Sequence, residues 1–259
     1  ERALLERYLP PLLEDAHRQM LERYGFEPRA PLGMEIYATK KEFAVRTTGL
    51  PQAGIAGVCF GRKVATVSPR GAKGNLGMTL WHELSHVFHI GLSESRVPRW
   101  LTEGLAEWET ARVDRGWSRE LDLELFRALR DERLPEIGRF NRAFSHAESM
   151  TDIAIAYHAS KRIADFIVAT RGQATVVRLL AEFGKKRLPD DVLPEVLGAS
   201  FADLDREFRA WLLGEYASYE KQFVSRLPRA PLEELAARAN AKNASHDDRV
   251  QYGLGLCRD

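Results

Sequence analysis

Two histidines and a glutamate fall within five residues: His82, Glu83 and His86, in the stretch 79–89. On a helix, positions 82 and 86 stand on one face, a turn apart. Two imidazoles so placed can share one tetrahedral metal ion. The Glu83 carboxylate beside them can take a proton from water that the metal activates. The neighbours Leu80, Trp81, Leu84, Val87 and Phe88 are apolar, so this helix is expected to be mostly buried. Three polar groups in an apolar helix are costly to bury unpaired, and a metal removes that cost. The alternative is a buried helix whose histidines hydrogen-bond to backbone, and a third ligand decides between the two.

Glu103 is the candidate third ligand. It lies seventeen residues after His86, on a helix expected to start near Pro98. Two histidines and a glutamate leave the fourth tetrahedral position open, which is the catalytic arrangement. Gly104 leaves room beside the ligand. Glu107, one turn further on, is placed to accept the other ring N–H of His82; the alternative is a solvated surface glutamate. Glu109 is expected to point elsewhere, to the surface. His89 shares a face with His82 and His86, but one helix cannot easily bring all three to one ion, so a supporting or structural role is expected. His17, His146, His158 and His246 read as surface or core residues.

The elements that must position these groups follow from periodicity and breakers. Residues 1–25 read as a helix that Pro10-Pro11 must kink or split. A short strand near 31–38, a helix over 40–47 and a hairpin of 55–60 with 63–68 about Gly61-Arg62 come next. The strand at 63–68 precedes the site and is a candidate to pair with an extended substrate. The glycine-rich loop 71–77 lacks the pattern of a phosphate loop and reads as a connector. After the His82 helix, closed by Gly91, helices are expected near 98–111, 118–133, 152–170, 173–184, 190–197, 200–226, 231–240 and 246–257. A small sheet followed by a helical body is an α+β pattern with the sheet antiparallel or mixed.

Length and composition bound the rest. The 259 residues suffice for a sizeable core. The expected organisation is one domain over 1–230, with the sheet within 1–91 and the helical body over 92–230. A helical tail follows over 231–259, in the manner of the first unit of a helical-repeat array. A net charge of +1 gives no reason to expect nucleic acid or an anionic membrane as main partner. No apolar run reaches the roughly 18 residues of a membrane span. Cys59 and Cys257 are far apart, are not spaced as a metal pair, and can pair or stay free. The chain starts at Glu1 with no signal-peptide pattern, as expected for a trimmed piece of a longer protein. Arg greatly outnumbers Lys, which points to a GC-rich, bacterial source; an extracytoplasmic setting is the expectation.

His82-Glu83-Leu84-Ser85-His86 followed by Pro98-x-Trp100-Leu101-x-Glu103-Gly104-Leu105-Ala106-Glu107 resembles the gluzincin clan of zinc peptidases. The bacterial peptidase-MA-like domains are the nearest match. The resemblance spans roughly residues 75–215, taking in 156–161 and 197–204. It implies a zincin-like fold, one catalytic Zn²⁺ on His82, His86 and Glu103, Glu83 as general base, a peptide or protein substrate, and Tyr157 as the tyrosine that stabilises the oxyanion. A core tyrosine with a satisfied hydroxyl is the alternative for Tyr157. The metzincin pattern needs Gly three and His six residues after the second histidine; His89 and Leu92 stand there, so that family is excluded. The related aminopeptidases carry an acidic upstream segment that grips the substrate amino terminus; the nearest stretch here, 74–78, has no acid, which favours an endopeptidase. Two rivals are a catalytically degenerate peptidase-like binding module and an interaction module that docks protein partners through its C-terminal helices around a structural zinc. The second needs a fourth protein ligand, and His89 is the nearest candidate.

Overall fold

One long helix, α1 (Arg2–Tyr24), begins the fold in a computed structural model that describes residues 1–47, 55–71, 74–218 and 230–256. Its buried stripe is Ala16, Met20 and Tyr24, and Gly25 stops it in the left-handed conformation at φ 59°. The split expected at Pro10-Pro11 does not occur; one helix contains both residues. Both prolines are exposed, so water can satisfy the carbonyls that lose an N–H partner.

A three-stranded mixed sheet follows, built from β1 (Gly33–Tyr37), β2 (Gly57–Cys59) and β3 (Lys63–Val67), with α2 (Lys40–Thr47) between β1 and β2. The order is β1-β3-β2; β1 runs parallel to β3 and β2 antiparallel to it. Gly61, at φ 73°, supplies the positive φ that the β2–β3 turn requires. Phe43 from α2 packs on Ala65 and Val67 of β3, with Tyr37 and Val58 alongside. β3 is therefore the central strand, bonded on both sides. It cannot pair with a substrate as the sequence suggested; among the described residues β2 is the strand at that edge of the sheet.

The helical body begins with α3 (Leu76–Leu92), which carries His82 and His86 and buries most of its length from Leu80 to His89. Asn75 caps it, accepting the Met78 N–H at 3.0 Å. The next helix is α4 (Arg99–Val113), followed by one 3-10 turn and α5 (Asp122–Arg130), shorter than the predicted 118–133. A second 3-10 turn at Ile137–Arg139 and the short helix α6 (Asn141–Ser145) lie where no element was expected. Then come α7 (Met150–Arg171), α8 (Gln173–Gly184), α9 (Pro189–Leu197) and α10 (Phe201–Tyr216). The core of this body is aliphatic and aromatic, with Leu101, Leu105, Ile163, Leu179 and Leu204 fully buried.

α4 packs against both α3 and α7. α4 and α7 come close at Gly104, where a Cβ would lie 2.2 Å from the Ser160 carbonyl oxygen. That atom is backbone and cannot swing aside. Gly104→Ala is expected to cost about 1–3 kcal/mol by overpacking, read as a melting temperature lowered by several degrees. An unchanged melting temperature would show that the two helices have slack at this point.

The chain divides into two compact units, Glu1–Leu212 and Leu213–Asp259. In the second, α11 (Leu232–Ala239) and α12 (His246–Leu256) pack on each other. Ser245 caps α12, taking the Asp248 N–H at 3.0 Å while the Asp248 carboxylate takes the Ser245 N–H at 2.9 Å. Among the described residues no helix is long and apolar enough to cross a membrane. The expected helix stop at 49–51, the stretch 219–226 of the helix predicted over 200–226, and Cys257 lie outside the described residues.

Candidate metal centre

α3 and α4 meet where His82, His86 and Glu103 face one another. Glu103 Oε2 lies 3.3 Å from His82 Nε2 and 3.4 Å from His86 Nε2, and one donor atom from each of the three residues falls within 4.8 Å of the others. Two ligands at 2.0–2.1 Å from a tetrahedral zinc are about 3.3–3.4 Å apart. The carboxylate is thus spaced from both imidazoles as two ligands of one tetrahedral ion are. The donor set of two nitrogens and one oxygen is also the one that zinc takes. On both counts the residues fit a divalent metal.

Each of the three side chains has a partner behind it. His82 Nδ1 is 3.5 Å from Glu107 Oε1, and Arg119 Nε is 3.3 Å from the other Glu107 oxygen. His86 Nδ1 is 2.8 Å from the Thr102 hydroxyl. Glu103 Oε1, turned away from the histidines, is 3.5 Å from Arg99 Nε. Buried Glu107 therefore stands behind His82, whereas Thr102, Arg99 and Arg119 are partners that the sequence reading missed. Thr102 had a legible signal, since it immediately precedes the candidate ligand. Arg119 had none, because its contact depends on how the chain leaves α4.

Electrostatics set the acids apart. Burial alone would raise the Glu103 pKa, but hydrogen bonds from His82 and His86 and their positive field hold it well below the usual carboxylate range. Burial pushes Glu83 up to about 7; His86 pulls it down and the Glu103 charge adds to the rise. Glu83 lies against β2. A Cβ on Gly57 would come within 2.7 Å of its Oε1, so only glycine leaves that carboxylate its place. Burial also raises the Cys59 thiol to about 12, with the Glu83 charge adding, which leaves it protonated and unsuited as a ligand.

These groups border a cleft of about 330 Å³. Ile55, Ala56 and Gly57 line it at the start of β2; Met78, Phe144, Met150 and Ile153 give apolar walls. Tyr157 on α7 also lines it, its ring 6.4 Å from that of His82. Burial raises the Tyr157 hydroxyl to about 12, helped by the Glu103 charge, so it stays a donor at neutral pH. Phe144 meets Tyr157 edge-on at 5.2 Å, and the Arg99 and Arg119 guanidinium groups lie 4.8 and 5.0 Å from the Phe144 and Tyr157 ring centres. The short helix α6 delivers Phe144, and its first residue, Asn141, accepts the Trp100 N–H at 3.1 Å, anchoring the start of α4.

The remaining candidates fall elsewhere. His89 is fully buried and does not join the metal cluster. His158 is buried and bonds Asp122 at 2.8 Å, while His146 and His246 are exposed. His17 is half-buried, 3.4 Å from Glu27. Glu109, expected at the surface, is fully buried. Arg23 reaches it from α1 with Nε 2.9 Å from Oε1, which neutralises a charge that the isolated α4 sequence would have left to water.

A buried His-Glu cluster on two packed helices, open to a cleft beside a small mixed sheet, is an arrangement that can hold a divalent metal ion. Comparison with protein families agrees: residues 13–214 match the family model of the peptidase MA superfamily, and the chain belongs to that superfamily. No curated protein and no solved structure gave a significant match.

Proposed function

We propose that this chain is a zinc-dependent peptidase of the zincin-like, gluzincin type, cutting within peptide chains. The observation that carries the reading is the placement of Glu103 Oε2 at matching distances from both imidazole nitrogens, 3.3 and 3.4 Å. His82, His86 and Glu103 hold the ion. Zinc bound there supplies Lewis acidity, polarising the scissile carbonyl and bringing the pKa of water toward neutrality.

The protein's own groups do the rest. Glu83, buried and near pKa 7, takes a proton from the attacking water at its carboxylate and delivers it to the leaving amine nitrogen. The Tyr157 hydroxyl donates to the oxyanion that develops on the substrate. Glu107 accepts the His82 Nδ1–H and, steadied by Arg119, fixes that ring. An extended substrate runs along the open edge of β2, its side chains against Met78, Phe144 and Ile153. Among the described residues lining the cleft, the acids are Glu83 and Glu107, both engaged, which leaves none to grip a substrate amino terminus.

A digest of a mixed peptide library by the zinc-loaded protein tests this. Internal cleavage that a chelator abolishes and added zinc restores is the expected result. Zinc binding with intact peptides would contradict it and make the chain a peptidase-like binding module instead.

A further inference from the structure

We propose that Arg99 selects substrates that carry an acidic side chain, aspartate or glutamate, close to the scissile bond. The inference rests on the peptidase reading above and names the substrate class of that site. The feature behind it is a half-exposed guanidinium, restrained on an aromatic ring, in the wall of the cleft.

Arg99 is the first residue of α4, one turn before Glu103. It lines the cleft together with His82, Glu83 and Tyr157. Its side chain is 51% exposed, against 13% for Glu103, so a substrate can reach it without displacing the buried groups. An arginine is always charged and carries five N–H donors in a planar fork that matches a carboxylate. Among the described residues one acid lies within ion-pair reach, Glu103, with Oε1 3.5 Å from Arg99 Nε. That is well beyond the roughly 2.7–2.9 Å of a strong charge-assisted hydrogen bond. Glu103 is also shared, because His82 and His86 approach its other oxygen at 3.3 and 3.4 Å. Arg99 is therefore a weakly matched cation.

Arg119, the other arginine of the cleft, differs. Its Nε and Nη2 both reach Glu107, at 3.3 and 3.4 Å, so its charge is matched within the protein. Arg99 is restrained in another way. Its guanidinium carbon lies 4.8 Å from the centre of the Phe144 ring, and buried Phe144 meets Tyr157 edge-on at 5.2 Å. A cation held on a ring face loses less freedom when a carboxylate docks on its N–H groups. Met78, Met150 and Ile153 line the same cleft and displace water around such a pair, which strengthens it. A neutral amide of the same shape gains a weaker bond, and a basic side chain is repelled.

Three peptide pools test this. Two are identical except for Glu or Gln at one fixed position among randomised residues, and both end in an amide. The third carries Gln there and ends in a free carboxylate. Retention of each by zinc-loaded Glu83→Gln protein is read by mass spectrometry, in that background alone and with Arg99→Gln or Arg99→Lys added. The Glu pool is expected to be retained roughly tenfold better than the Gln pool, the scale of one hydrogen bond to a charged group. Arg99→Gln is expected to abolish the preference, and Arg99→Lys to keep part of it. A purely structural role for Arg99 would move both pools alike and leave their ratio unchanged. Equal retention of the Glu and Gln pools, or a Glu preference that survives Arg99→Gln, would overturn the proposal. Preference for the third pool would also overturn it, by assigning Arg99 to the chain end. Because the readout is binding, the preference can hold in a protein that cuts nothing. Equal cleavage of the Glu and Gln pools by the wild type would sink the preference and leave the peptidase reading standing.

Discussion

Glu83→Gln is expected to keep zinc and lose turnover, with kcat/KM on a cleaved peptide falling by roughly 10²–10⁴ as for removal of a general base. The amide preserves shape against β2 but cannot take the proton. A second readout separates this from loss of structure. The folded-state pKa of Glu83 is raised to about 7 by burial, above its unfolded value, so the native state binds the extra proton between about pH 4.5 and 7. Stability of the metal-free protein contributed by this group therefore falls as pH rises through that window. Removing the ionisable group should stabilise the metal-free protein at pH 8 by on the order of 3 kcal/mol, and hardly at all at pH 4. That is several degrees in melting temperature. Unchanged turnover would remove Glu83 from the mechanism, and equal melting shifts at both pH values would remove its buried charge.

The second large effect is on the metal itself. Glu103→Ala leaves His82 and His86 one turn apart on α3 with no ligand from α4. Zinc affinity should fall by more than the roughly 10–100-fold typical of losing an outer-sphere partner, and peptide cleavage should vanish with it. The Glu103 pKa is held below the ordinary range by the two imidazoles, so the native pairing contributes stability above the unfolded carboxylate pKa and loses it as pH falls. The variant should accordingly show less acid destabilisation than the wild type in metal-free melts. Chelator competition with full-strength zinc binding in Glu103→Ala would show that the ion is held elsewhere.

These groups were legible in the sequence because their geometry is local. His82, Glu83 and His86 share helix α3, and Glu103 and Glu107 share α4, so helical spacing alone places each set on a face. The β2–β3 hairpin and its Gly61 turn were readable for the same reason. What escaped depends on contacts between distant segments. Glu109 looks like a solvent-facing acid until Arg23 arrives from α1, and Thr102 matters only because α3 and α4 converge. The centrality of β3 was hidden because β1, a parallel partner from earlier in the chain, closes its second edge. Pro10-Pro11 do not split α1, and both residues are exposed, so their neighbours' carbonyls can turn to water. The segment holding α6 has too little periodicity to read, yet it delivers Phe144 to the cleft and Asn141 to the start of α4.

The central claim is that one divalent ion is held between α3 and α4, and crystals of the zinc-loaded protein test it most directly through anomalous diffraction at the zinc absorption edge. The account predicts a single strong peak about 2.0–2.1 Å from His82 Nε2, His86 Nε2 and a Glu103 carboxylate oxygen, with a coordination position facing the cleft. A peak at another site, or a Glu103 carboxylate turned away from an ion on the two histidines, would contradict it.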